Sequence, residues 1–429
     1  MNKKSLLLLL IMLAAAVLAS CSSLPFLDEM ISSPTPLVDE TLIPPTVEAS
    51  PTPTPQNVSQ LTIWVPPHFS PQDGTTAGNL FLSRLEEYTN RRPLVDVKVR
   101  VKQLEGEYGL LTSLRSAKEA APLVMPDLVA LPRPLMEQAY QEGLIIPLEE
   151  RTGLMEGNNW FDFAGELSRI DDQLVGIPFA GDAIVLAYKI NNSEEQPPVD
   201  WASLLEVQKA LAFPASDPEG LVTLAYYESL GGEFIPADGG DFQLQRPPLQ
   251  EVLQFYQEAQ AANVMPFWLT QLENETQAWS SYQERQSTLA LTWSSLYFKA
   301  DAPNTSLAAV PTRSGKSFTY ATGWVWCVVS SQPVQEEEAL ELVEFLVEDS
   351  FLDSWSVESS YLPVRPSALD TWPEGAYPLL WQQILPAAII PPDQEVINAL
   401  GMEVRDAVVA VLKDQTAPET ALEGLIEDQ

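Results

Sequence analysis

The 429-residue sequence contains one histidine and two cysteines. That scarcity excludes histidine-rich zinc sites, CxxC redox motifs and a disulfide framework. Basic residues are also few, with 23 Lys plus Arg against 59 Asp plus Glu, and none occurs between Lys4 and Arg84. The resulting net charge of −36 repels nucleic acid phosphates and anionic headgroups, so nucleic-acid binding is excluded. No GxSxG elbow, HExxH motif, Gly-rich phosphate loop or catalytic cysteine context occurs either. What the chain does have is 45% apolar residues, enough to fill the cores of about two domains.

The first residues have a separate logic. Lys3 and Lys4 precede an unbroken apolar run from Leu6 to Ala19, too short to span a bilayer, and the chain then reads Leu18-Ala-Ser-Cys21. This ending resembles the lipobox of bacterial lipoproteins, which implies removal of a signal peptide over 1–20 and lipidation of Cys21. Residues 21–60 are expected to form a disordered Pro/Thr-rich tether: eight prolines lie between Ser22 and Gln60, and this composition cannot bury a core. The tether would hold an acidic body away from anionic lipid, so the expected membrane contact is through the lipid alone.

From Leu61 onward the pattern is α/β. Leu61-Thr-Ile-Trp-Val65 reads as a strand, and Phe81, Leu85 and Tyr88 mark one helical face. Val95, Val97, Val99 and Val101 alternate with charged residues as a strand does. Leu110, Leu111 and Leu114 mark a helix, Asp127–Leu131 a strand, and a further helix closes at Gly143. Such alternation predicts a mostly parallel sheet covered by helices, with ligands beyond the carboxyl ends of the strands. Further strands are expected at Ala183–Tyr188, Ser287–Thr292 and Gly323–Ser330, and helices across 201–286, 335–348 and 394–413, with Asp200 as an N-cap.

Five segments resemble the extracellular solute-binding proteins of ABC importers, the group that includes the maltose-binding protein. They are Asp127–Leu131 with Gly143–Leu148, Gly176–Tyr188, Pro197–Trp201 before Leu204-Leu205, Gly323-Trp324 with Ala339–Phe345, and Tyr361–Arg365. The resemblance implies a two-lobed periplasmic-binding-protein-like fold with the ligand cleft at the hinge. One lobe would comprise 60–181 plus 288–327 and the other 182–287 plus 328–429, with a crossing near Gly181. It also implies a monomer that serves ABC permease transmembrane subunits, needs no cofactor and performs no catalysis.

Candidate ligand contacts follow from that frame. The resemblance places an acidic contact at Asp182, where a carboxylate can accept two hydroxyl hydrogen bonds; a turn aspartate after Gly181 is the alternative. His68 and Phe69 follow the first strand, where many relatives contact the sugar, although Pro66, Pro67 and Phe69 depart from that pattern. Arg133, just past the third strand, can donate a forked hydrogen bond or lie on the surface. Trp293, Tyr297, Trp324 and Tyr361 offer flat rings for the CH face of a sugar, or else pack in the core. Trp201 reads as structural, and Cys327 as a buried small hydrophobe. Asp238-Gly-Gly-Asp241 lacks the ligand spacing of an EF-hand and reads as a solvated turn, not a metal site.

The expected function is capture of a mono- or oligosaccharide outside the membrane and its delivery to the permease. The alternatives are a surface-anchored glycosidase using a carboxylate pair, and a binder of a polyamine or amino acid.

Overall fold

Alternation in Val95–Val101 leaves Asp96, Lys98 and Arg100 on one face, and this strand forms an edge of the sheet. The computed structural model describes residues 58–157, 159–190, 196–237, 242–300, 302–329, 333–372 and 377–423. The signal segment, Cys21, the tether up to Asn57, Asp238–Asp241 and Ser330 lie outside them. Ser59 and Gln60, expected in the tether, instead begin the first strand.

In chain order the strands are β1 (Ser59–Val65), β2 (Val95–Val101), β3 (Leu128–Pro132), β4 (Arg169–Ile170), β5 (Gln173–Leu174), β6 (Ile177–Lys189), β7 (Leu211–Ala212), β8 (Phe234–Pro236), β9 (Phe242–Leu244), β10 (Leu289–Trp293), β11 (Thr305–Ala308), β12 (Thr319–Val328) and β13 (Ala388–Ile389). The main sheet runs β2-β1-β3-β12-β6-β10-β7, with β11 also on β6 and β13 on β12. It is mixed rather than mostly parallel. β1 is parallel to β2 and β3, but β12 runs antiparallel to both β3 and β6.

β6 organises the two lobes. Residues 177–183 pair with β12, whereas Ile184–Tyr188 pair with β10 and Leu186–Lys189 with β11. One continuous, almost wholly buried strand therefore belongs to two strand groups, changing partners just past Gly181. At the change Gly181 lies opposite Gly323, and Gly181 also exchanges backbone hydrogen bonds with Leu362 at 2.7 and 2.8 Å. A Cβ on Gly323 would sit 2.2 Å from the Ala180 carbonyl oxygen, and one on Gly181 would sit 2.8 Å from the Phe163 ring. Only glycine permits this approach of the two chains.

The pairing groups the strands differently from the expected division of the chain. Residues 289–308, expected with the first lobe, hydrogen-bond to the second half of β6 and to β7. The helices Pro333–Leu346 and Asp349–Ser359, expected with the second, pack on β1 and on helix Thr76–Arg91. The later helix Gln394–Leu412 packs with Leu221–Ser229 and Arg246–Ala261, and Pro418–Ala421 also packs on Arg246–Ala261.

The strand pleat divides the first lobe's core into two layers. Ile63, Val65, Leu128 and Ala130 face one apolar cluster, while Trp64, Val129, Leu131 and Cys327 face the other. Asp200 caps helix Trp201–Glu206 through a reciprocal box with Ser203, and Trp201 stacks on Phe255 with ring centroids 4.2 Å apart. Trp201 is buried, as expected of a structural residue, and Cys327 is fully buried and free.

Candidate functional site

β3 ends at Pro132, and helix Arg133–Gln141 begins at once, with Pro134 near its start, where a missing N–H does no harm. Arg133 and Glu137 are one helical turn apart and meet at 2.5 Å. Arg133 also donates to the carbonyls of Glu166 (2.9 Å) and Arg169 (2.6 Å) and to Asp393 (2.8 Å). Burial raises the Glu137 carboxyl, and Arg133 and the Gln394 backbone act against that rise.

These residues form one wall of a cavity of about 330 Å³. Glu105, Arg133, Asp182, Glu219, Trp293, Thr322 and Gln394 all line it, drawn from segments of both lobes. The cavity opens at the carboxyl ends of β3 and β10, the position such sheets use for ligands.

Asp182 is nearly enclosed, at 7% exposure. Its Oδ1 accepts from Ser294 Oγ (2.6 Å), Ser295 N (2.9 Å) and Ala183 N (3.0 Å), and its Oδ2 accepts from Ser295 Oγ (2.5 Å). Burial raises the carboxyl, while the serines and the Lys299 ammonium oppose the shift. The carboxylate thus fixes the start of helix Ser294–Lys299 to β6, directly after Trp293.

Trp293 is half-buried, and behind it lies Glu275. One Glu275 oxygen, Oε1, has no hydrogen-bond partner. Burial, followed by repulsion from Asp217, pushes this carboxyl up to about 7. Asp217 itself accepts the backbone N–H of Glu219 and of Leu221 at 3.0 Å each, which places Glu219 at the mouth of helix Leu221–Ser229.

Four other expected contacts form a separate cluster. Phe69 packs against Trp324 (4.9 Å between centroids) and Tyr361 (5.5 Å), and His68 meets Trp324 at 4.8 Å. Phe69, Trp324 and Tyr361 are buried core rings, not lining of the cavity. Lys299 reaches over Tyr361, 4.1 Å from the ring centroid. His68 itself stays exposed at the edge of the cluster; partial desolvation by the neighbouring rings, then the Lys299 charge, lowers it to about 4. Tyr297 joins neither group; it packs on Trp279 and Phe298 and donates to the Thr305 carbonyl at 3.3 Å. Of the eight expected contacts, the cavity gathers Arg133, Asp182 and Trp293.

Sequence reasoning missed Glu105, Glu137, Glu219, Glu275, Lys299 and Gln394. The four-residue spacing of Arg133 and Glu137 was a readable signal for that pair. Nothing local marks Glu105 and Glu219, which meet only through the fold. Among the described residues no cluster of three or more His, Cys, Asp or Glu is arranged to hold a metal ion, and no helix is long and apolar enough to cross a membrane.

The sequence pattern of the bacterial extracellular solute-binding proteins matches residues 84–378. No curated protein sequence matches significantly. Among solved structures, the cyclic α-maltosyl-1,6-maltose binding protein from Arthrobacter globiformis is 19% identical, with a TM-score of 0.69 over 85% of this chain and 96% of that one. The sugar-binding protein MalE from Xanthomonas citri is 16% identical, with a TM-score of 0.69 over 86% and 95%. A solute-binding protein from Thermotoga lettingae bound with α-D-tagatose is 19% identical, with a TM-score of 0.63 over 86% and 97%. At these identities the likeness establishes the α/β two-lobed fold. With the family pattern covering well over half its length, the chain belongs to the bacterial extracellular solute-binding proteins.

Proposed function

We propose that the protein captures a carbohydrate in the cavity between its lobes and delivers it unchanged to an ABC permease, anchored outside the cell membrane by lipid on Cys21. The observation that carries this reading is that the half-buried Trp293 ring lines one cavity together with Glu105 and Arg133. A ring offers apolar area to the CH face of a pyranose, and carboxylates around it accept hydroxyl hydrogen bonds. The similar proteins named above for maltose-type sugars and tagatose support a sugar as the solute. Contacts made to both walls would stabilise the closed form, since a ligand shifts a hinge only by its preference for one state.

The test is a thermal-shift screen of mono- and oligosaccharides, amino acids and polyamines, followed by Trp fluorescence titration with any hit. The expected result is a raised melting temperature and a spectral shift with a sugar, recovered intact by mass spectrometry. A hydrolysed product, or a response to amino acids alone, overturns the reading.

A further inference from the structure

The cavity is rich in acceptors and short of free donors. Arg133 is the one cation among the described lining residues, and its contacts with Glu137, Asp393, Glu166 and Arg169 occupy four of its five N–H groups. Glu137 is satisfied by Arg133 and by the Gln394 backbone, and Asp182 by Ser294, Ser295 and Ala183. Two lining carboxylates remain without a cationic partner: Glu105 and Glu219.

These two repel each other across the gap. Burial raises the Glu219 carboxyl most, Asp217 adds to the rise from behind, and Glu105 adds to it from across the cavity, with only the Gln394 amide opposing. Glu275, 7% exposed, lies behind Trp293, whose side chain hydrogen-bonds to it; its Oε1 has no partner, but the residue does not itself line the cavity. Holding the lobes together with Glu105 and Glu219 lining one cavity costs free energy through their repulsion, and positive charge between them offsets that cost. Neutral hydroxyls satisfy the oxygens but leave the charge in place.

We propose, resting on the carbohydrate reading, that the ligand is a cationic amino sugar, its ammonium held between Glu105 and Glu219 and its ring laid on Trp293. The ring face of tryptophan attracts a cation as well as a sugar CH surface, so the three groups act together. The chain's large negative charge would also steer such a ligand inward, at a rate that falls with salt.

The experiment is calorimetric titration of the protein with four probes: the glucosamine trimer, its fully N-acetylated counterpart, maltotriose and spermidine. The glucosamine trimer is expected to bind at least about tenfold more tightly than the acetylated trimer or maltotriose, with an advantage that shrinks as salt rises. Glu219→Gln is expected to remove about tenfold of that affinity. Glu105→Gln changes an exposed side chain that the fold does not need, and it should weaken the amine selectively. Equal or tighter binding of a neutral sugar overturns the charge inference and leaves the carbohydrate reading standing. Binding of spermidine alone overturns both, as does binding of none of the four together with a response only to amino acids. Unchanged affinity for the amine in both variants overturns the placement between the two carboxylates.

Discussion

Glu137, on the helix that follows β3, accepts the backbone N–H of Gln394 at 2.8 Å. Gln394 starts the helix Gln394–Leu412, which packs with the second lobe's helices, so a first-lobe carboxylate satisfies an otherwise orphaned donor at the positive end of a second-lobe helix. Arg133 reinforces the junction by bridging Glu137 and Asp393. The bond can exist only while the lobes are together.

Replacing Glu137 by alanine should therefore favour the open form. Glu137 is 5% exposed, and removing its carboxylate leaves the Gln394 N–H without its first-lobe acceptor, which weakens the junction by about 1–3 kcal/mol. Solution scattering without ligand should show a larger radius of gyration for Glu137→Ala than for the parent protein. Identical scattering curves would mean that the junction does not hold the lobes closed.

Glu275 predicts a pH dependence of stability. Its folded-state value of about 7 lies above its ordinary 4.5, so the folded protein binds the proton more tightly than the unfolded chain does. The stabilisation is complete below pH 4.5 and is lost as pH rises through 7, a difference on the order of 3 kcal/mol. Denaturant unfolding of the parent and of Glu275→Gln between pH 4.5 and 8 checks this. The variant, which cannot ionise, should show a shallower decline, and parallel curves would contradict the assignment.

The legible part of the molecule was the part fixed by short-range pattern. Period two in Val95–Val101, the Asp200 cap and the helix face at Phe81, Leu85 and Tyr88 depend on neighbours in sequence, and each element forms where expected. The lobe division was not legible, because β10 and β11 could pair with either half of β6 as far as their own residues are concerned. The site was half legible for a related reason. Trp293 follows a strand end and lines the cavity, whereas Phe69, Trp324 and Tyr361 share the same surface chemistry and turn into the core. Aromatic rings do not declare in sequence which side of a wall they will occupy.

Gly323→Ala tests whether the crossing of β6 and β12 is as tight as it looks. The added methyl would meet the Ala180 carbonyl at 2.2 Å and the Leu167 side chain at 2.7 Å, and the first of these is backbone held in the sheet. Overpacking of this kind costs about 1–3 kcal/mol. Thermal unfolding should show the loss. A melting temperature equal to the parent's would mean that the strands separate freely there, and that the lobes are joined elsewhere.

Trp201 and Trp293 separate packing from binding. Trp201 is 6% exposed and stacked on Phe255 in the core, so Trp201→Ala should cost about 3–5 kcal/mol of stability while ligand affinity in the surviving folded protein stays the same. Trp293 lines the cavity and is only half-buried, so Trp293→Ala should change stability much less. It should instead weaken the ligand by about 1–2 kcal/mol, roughly tenfold, and remove most of the fluorescence change on binding. Denaturant curves and titrations on both variants give a crossed pattern if the cavity is the ligand site. Should Trp293→Ala keep full affinity and the full spectral response, the solute binds away from this wall, and the aromatic cluster around His68 under Lys299 becomes the place to probe next.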